Sequence, residues 1–151
     1  MTQPVFTEET LLTFETNIDD MPPSHYECVM EALFEAGALD VYIQPILMKK
    51  NRPAHILFAL GKVELKETLL HVFFKHTSTL GVRIDTIKRI SIARTLVIKQ
   101  TRFGPVQLKE TNYPEKRLAP EYDDCKAIAQ SQGIPLKTVI DQVMIDVYNN
   151  I

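Results

Sequence analysis

The chain has little cysteine, few glycines, no long apolar run and almost no net charge, and each shortage removes a class of function. Its two cysteines, Cys28 and Cys125, lie 97 positions apart with no CxxC pair. That excludes a zinc knuckle and a disulfide-built secreted scaffold, and it points to a reducing, cytoplasmic setting. The five glycines (Gly37, Gly61, Gly81, Gly104, Gly133) stand singly as punctuation, so there is neither a P-loop nor a dinucleotide fingerprint. Any nucleotide must then be gripped by side chains and a metal ion. Four histidines, His25, His55, His71 and His76, show no metal-ligand spacing and read as surface or core residues. No charged-then-apolar leader is visible, and no apolar run nears the ~18 residues of a membrane span. A formal charge of −2 gives no global basic field, so neither a membrane nor a long nucleic acid is an expected partner.

What is present is a chain of 151 residues, 45% hydrophobic, enough for the core of one ordinary domain or of two small ones. Residues 1–9 are polar and unpatterned and read as a disordered lead. Residues 11–16 look like a strand. Ser24-x-x-Glu27 forms a capping box, and Tyr26, Val29, Met30, Leu33 and Phe34 recur at helical spacing up to the stop at Gly37. Asp40 to Met48 reads as a strand in which Pro45 implies an edge or a bulge. A polar turn at 49–53 leads to a strand over 55–60, broken by Gly61. Val63 to His76 is a second helix, and Thr79 to Asp85 starts a further strand. The order β-α-β-β-α-β over 10–87 is the ferredoxin-like arrangement. Residues 88–151 form a second unit, with a hairpin over 89–110 and two helices, Pro120 to Gln132 and Leu136 to Tyr148. The fold class is α+β.

The densest chemistry lies where the first strand stops, at Glu15-Thr16-Asn17-Ile18-Asp19-Asp20. Asp19 and Asp20, with Glu15 two pleats back, offer the oxygen ligands that magnesium or manganese accepts alongside phosphate oxygens; in the alternative, the aspartates satisfy turn amides ahead of the helix. Lys49, Lys50 and Arg52 place three cations at the turn between strands two and three, a turn that need not face the carboxylates and reads as solvated by default. Thr77-Ser78-Thr79-Leu80-Gly81-Val82-Arg83 could hold phosphate through hydroxyls, amides and a guanidinium, or be a plain connection in which Gly81 supplies a backbone angle. Glu121, Asp123 and Asp124 suit a helix dipole. Cys125 reads as a packing residue. Phe14 and Phe58, set among aliphatics, read as core, which argues against an RNA-binding sheet face.

Taken together, Glu15-Thr16-Asn17-Ile18-Asp19-Asp20-Met21, Met30-Glu31-x-Leu33-Phe34-Glu35-Ala36-Gly37-Ala38-Leu39-Asp40-Val41, Pro45-Ile46-x-Met48-Lys49-Lys50-x-Arg52-Pro53, Thr77-Ser78-Thr79-Leu80-Gly81-Val82-Arg83 and Pro120-Glu121-Tyr122-Asp123-Asp124-Cys125 resemble the LarC family of nickel-insertion proteins. The resemblance implies a CTP-dependent cyclometallation: nickel enters a pyridinium bis-thiocarboxylate mononucleotide through one nickel–carbon and two nickel–sulfur bonds, completing the nickel-pincer nucleotide cofactor of lactate racemase. CTP becomes CMP and pyrophosphate with magnesium or manganese. Family proteins are longer, and this sequence matches their C-terminal portion, so the histidine-rich segment expected to handle nickel is not among these residues. If this portion holds CTP, the resemblance implies Asp19 and Asp20 as metal ligands, with Glu15 and Asn17 in support. Lys49, Lys50, Arg52 and Arg83 become triphosphate partners, Thr77, Ser78 and Thr79 donors, and no catalytic nucleophile is required. Open sheet edges suggest a homo-oligomer. The rival from another class is a non-catalytic effector-binding or oligomerisation module of the same fold.

Overall fold

A computed structural model describes residues 5–149. The chain divides into two compact units, one spanning 8–89 and the other formed by the rest of the described residues.

In the first unit, β1 (Phe6–Ile18), β2 (Asp40–Met48), β3 (Arg52–Lys62) and β4 (Arg83–Ile92) form one sheet in the order β2-β3-β1-β4, and α1 (Tyr26–Glu35) and α2 (Lys66–His76) follow β1 and β3. This is the expected βαββαβ order. Pro45 lies in β2, an edge strand, the place in a sheet where a residue without an N–H is tolerated. Alternation along β1 sends Leu12, Phe14 and Ile18 into the core, where they meet Val29 and Leu33 of α1 and Leu69 and Phe73 of α2. Phe14 and Phe73 are fully buried and stack with centroids 6.0 Å apart. Truncating either to alanine removes about 3–5 kcal/mol. Helix α1 ends where Gly37, at φ 95°, lets the Gly37 and Ala38 amides donate to the Phe34 and Leu33 carbonyls.

Several boundaries differ from the sequence reading. Strand β1 starts at Phe6, so residues 6–9 of the expected lead are strand; residues 1–4 lie outside the described residues. The Ser24/Glu27 capping box is not made: Pro23–His25 forms a 3-10 turn, α1 begins at Tyr26, and its cap residue His25 makes no side-chain cap bond. Pro22 and Pro23 each fix their own φ, so the chain enters the helix through proline geometry instead. Gly61 sits inside β3 rather than ending it, at a position where a side chain would strike Leu69. The fourth strand starts at Arg83 instead of Thr79. Phe58 is half-buried outside the core cluster, stacked on the exposed ring of Tyr42, its partner in the β2–β3 register, at 4.3 Å.

The second unit contains β5 (Arg94–Thr101), β6 (Gly104–Thr111) and β7 (Arg117–Pro120), an antiparallel sheet in that order, with α3 (Tyr122–Gln132) and α4 (Leu136–Asn149). The hairpin therefore spans 94–111, and Ile90 and Ile92 belong to β4. Pro120 ends a strand rather than starting a helix. Val106, Leu108, Leu118, Cys125, Val139, Val143 and Val147 form this unit's core. Asp124 accepts the Gln107 N–H at 2.9 Å, and Glu121 pairs with Lys109 at 2.8 Å, so two of the three α3 acids hold the helix to β6. Burial, then the charge of Asp124, push the Cys125 thiol above its ordinary pKa. That keeps it a packing group rather than a nucleophile.

Candidate functional site

Antiparallel pairing of β1 with β3 decides what meets the acidic end of β1. The register sets Ile18 against His55 and Asn17 against Ile56, so the start of β3 lies beside the end of β1. The β2–β3 turn is thereby carried toward the carboxylates. Arg52 Nη1 donates to Asp19 Oδ2 at 3.0 Å across 33 positions of sequence. Lys49 and Lys50 sit in the same turn, where Lys50 and Asn51 take left-handed backbone angles. Both lysines are exposed and form no ion pair among the described residues. The expected basic cluster thus splits, with Arg52 on the acidic strand end and the two lysines in solvent.

On the other side of β1, Arg83 opens β4. Its Nη2 donates to Glu15 Oε1 at 2.5 Å and to Asn17 Oδ1 at 2.6 Å. Glu15 and Asn17, two apart, share one face of the strand. One guanidinium nitrogen is thus fixed by two acceptors, while Nε and Nη1 have no partner among the described residues and keep three N–H groups in reserve.

The α2–β4 loop supplies the third side. Ser78 Oγ donates to Asp20 Oδ1 in a very short hydrogen bond. Its neighbours have other duties. Thr77 Oγ1 donates to the Phe73 carbonyl at 2.7 Å, closing the end of α2, and accepts the Thr79 N–H at 3.2 Å. Thr79 Oγ1 lies 2.6 Å from Thr16 Oγ1 and 2.9 Å from the Gly81 carbonyl oxygen. Thr16 Oγ1 also reaches that oxygen at 2.9 Å. Two of the three predicted hydroxyls therefore shape the loop, and Ser78 alone faces the carboxylates. Gly81 has no left-handed φ, so its expected backbone role is not the reason for it.

Sequence reasoning missed Thr16. Thr16 is the buried polar residue of β1, and a threonine on the core face among Leu12, Phe14 and Ile18 is the signal that could have found it.

Glu15, Asp19 and Asp20 do not converge as one metal cage: among the described residues no group of three His, Cys, Asp or Glu does. Each carboxylate is taken by a different element, Glu15 by Arg83, Asp19 by Arg52 and Asp20 by Ser78. Asp19 and Asp20 remain adjacent hard-oxygen donors. Each is engaged through one oxygen, Asp19 Oδ2 and Asp20 Oδ1, and a magnesium-type ion uses one or two carboxylates and completes its shell with phosphate oxygens and water.

Residues 1–140 match the family model described as Nickel insertion protein. A pyridinium-3,5-bisthiocarboxylic acid mononucleotide nickel insertion protein of Acetivibrio thermocellus is 42% identical over 137 residues, covering 90% of this chain and 34% of that protein. The chain spans about a third of the length of the curated relatives it matches. Among solved structures, LarC2, the C-terminal domain of a cyclometallase involved in synthesis of the NPN cofactor of lactate racemase, in apo form, superposes with TM-score 0.82 and 38% identity over 93% of this chain and 99% of that one. A Methanopyrus kandleri protein shares the fold at 22% identity and TM-score 0.66, covering 94% of this chain and 88% of that one. With a family model matched from residue 1 to residue 140, at the start of α4, and a solved domain of the same architecture, this chain belongs to the LarC family of nickel insertion proteins.

Proposed function

We propose that this chain is the CTP- and divalent-metal-binding C-terminal domain of a cyclometallase that inserts nickel into the pyridinium bis-thiocarboxylate mononucleotide, with CTP converted to CMP and pyrophosphate. The observation that carries the reading is the partly uncommitted Arg83 guanidinium, pinned by Glu15 and Asn17 in the same unit as the Asp19–Asp20 pair, in a chain that matches a cyclometallase domain over almost its full length.

The residues divide the work by charge. Asp19 and Asp20 would hold magnesium or manganese, with Glu15 in support through Arg83. The ion supplies charge neutralisation of the triphosphate when bound. Arg83 and Arg52 offer N–H groups to phosphate oxygens, and Lys49 and Lys50, on four-carbon stems at the end of the β2–β3 turn, add mobile positive charge. Ser78 adds a hydroxyl donor, and Thr77 and Thr79 fix the loop that carries it. Arg52 and Arg83 leave their present carboxylate partners only in part, since each guanidinium has more donors than those contacts use. Phosphoryl cleavage of this kind needs positioning and charge stabilisation more than a protein nucleophile, consistent with a buried, neutral Cys125. Nickel and the pyridinium mononucleotide are the cargo and substrate of the whole protein. No described helix is long and apolar enough to cross a membrane. A homo-oligomer is supported by the exposed Leu96 and Ile98 on the edge strand β5.

Calorimetric titration with CTP, ATP, GTP and UTP in the presence of manganese tests the reading. CTP is expected to bind with the largest heat; equal heats for all four, or none, remove it.

A further inference from the structure

Thr16 is 2% exposed, on the face of β1 that carries Phe14 and Ile18 into the core. A valine would fill that place with no hydroxyl to satisfy, so the oxygen is explained by what it holds. It holds the connection between α2 and β4. Thr16 Oγ1 and Thr79 Oγ1, 2.6 Å apart, each lie 2.9 Å from the Gly81 carbonyl oxygen, and the Gly81 N–H donates to Thr79 Oγ1 at 3.3 Å. Packing does not fix this stretch: Leu80 is 99% exposed, and a Cβ at Gly81 would meet nothing within 4 Å among the described residues. At the other end Thr77 Oγ1 ties the connection to the Phe73 carbonyl at 2.7 Å. Ser78 stands between the two tethers, exposed, with its hydroxyl on Asp20. On the opposite face of β1, the two neighbours of Thr16, Glu15 and Asn17, fix Arg83.

We propose that Thr16 is a positioning residue for the nucleotide site: resting on the reading given above, it holds residues 79–81 from the core side so that Ser78 meets the phosphates already in place. Three consecutive residues of β1 then set both donors of the α2–β4 connection, Ser78 through one strand face and Arg83 through the other. The tether lies outside the Ser78–Asp20 contact, so Ser78 can turn its hydroxyl from Asp20 to a phosphate while the loop stays on the strand. Thr16 touches no ligand, and its effect on binding passes through Ser78.

Two measurements on the full chain test this. In the first, Thr16→Val, Thr16→Ser and Ser78→Ala are made, with T16V and S78A also combined, and the Kd for manganese–CTP is measured by calorimetry. T16V and S78A are each expected to raise it about tenfold, through loss of a hydrogen bond to a charged group, and the double variant no further than S78A alone, since the tether then has nothing to aim. T16S keeps the hydroxyl and is expected to bind like the native chain. Losses that multiply in the double variant, a T16S as weak as T16V, or a T16V that binds as the native chain does overturn the positioning role. Thr79→Val removes the other half of the tether from outside the core cluster and is expected to behave as T16V, so it decides the matter if T16V does not fold. The second measurement uses no ligand: amide exchange at Ser78 is expected to rise about tenfold in T16V or T79V, the loss of a hydrogen bond's worth of local order, and to stay native-like in T16S. Unchanged exchange overturns the tether. A native chain that binds no manganese–CTP overturns the nucleotide reading instead, and the exchange at Ser78 then decides whether Thr16 holds that residue.

Discussion

Arg83 and Glu15 meet at 2.5 Å between β4 and β1, and the same guanidinium nitrogen reaches Asn17 at 2.6 Å. The contact is largely exposed, 57% for the arginine side chain and 40% for the glutamate, so it contributes at most about 1 kcal/mol to folding. On the proposed nucleotide reading, its use is to aim the rest of the guanidinium at the ligand. Arg83→Ala is therefore expected to leave the melting temperature nearly unchanged while raising the Kd for manganese–CTP about ten- to hundredfold, the loss of charge-assisted hydrogen bonds. Arg83→Lys falls between, because an ammonium lacks the planar fork that serves both strand acceptors and ligand. Thermal melts and calorimetry on the same samples check it; a large loss of stability with unchanged affinity would make the arginine structural.

Thr16 carries the loop side of the site. Its hydroxyl is 2.6 Å from Thr79 Oγ1 and 2.9 Å from the Gly81 carbonyl, two contacts that hold the chain on either side of Leu80. Thr16→Val keeps the shape and removes both contacts, so it is expected to cost about 1–3 kcal/mol. Amide hydrogen exchange should rise at Thr79 and Gly81 in particular. Uniform exchange across the unit, or none at these amides, would mean that the loop is held by something else.

The sequence made the order of elements legible wherever one chain segment decided its own fate. The 3.6-residue spacing of Tyr26, Val29 and Leu33 and the alternation around Phe14 are local signals. What stayed hidden depends on partners far away. Phe6 to Glu9 looked like a lead because Glu8 and Glu9 find their cations, Lys88 and Arg89, 80 positions later, at 2.7 and 2.9 Å. Strand β7 has four residues, too few for a period to show. In the site, Asp19, Asp20 and Ser78 could be picked as chemistry-bearing residue types. That Arg52 serves Asp19 while Lys49 and Lys50 pair with no carboxylate among the described residues follows only from the β1–β3 register.

Gly61 offers a test of packing in the core of the first unit. A Cβ there would lie 2.3 Å from Leu69 Cδ1 and 3.4 Å from Phe14 Cε2, so Gly61→Ala must displace a fully buried leucine. Overpacking of this kind costs about 1–3 kcal/mol, and the expected drop in melting temperature is about 4 °C or more. Gly81→Ala is the control, since nothing lies within 4 Å of its Cβ position; it should stay within about 0.5 kcal/mol of the native chain. Equal stabilities for the two variants would mean that Leu69 has room the structure does not show.

Arg102 and Asp146 give the second unit a pH-dependent staple. Asp146 accepts the Arg102 backbone N–H at 2.8 Å and the guanidinium Nη2 at 2.7 Å. The side-chain hydrogen bond from Arg102, then the backbone one, hold the Asp146 carboxyl below its ordinary pKa. The guanidinium is raised in turn, mainly by its hydrogen bond to Asp146, but arginine stays charged across any working pH, so only the aspartate sets a window. A carboxyl lowered in the folded state binds its proton more readily when unfolded. Its contribution is therefore complete above the unfolded value of about 3.9 and is lost as pH falls through the folded one. Asp146→Asn is expected to lower the melting temperature at pH 7, and the gap to the native chain should close as pH drops below about 4. Melts at half-unit pH steps check this: a gap that stays constant down to about pH 2 would show that the carboxylate charge is not what the staple uses.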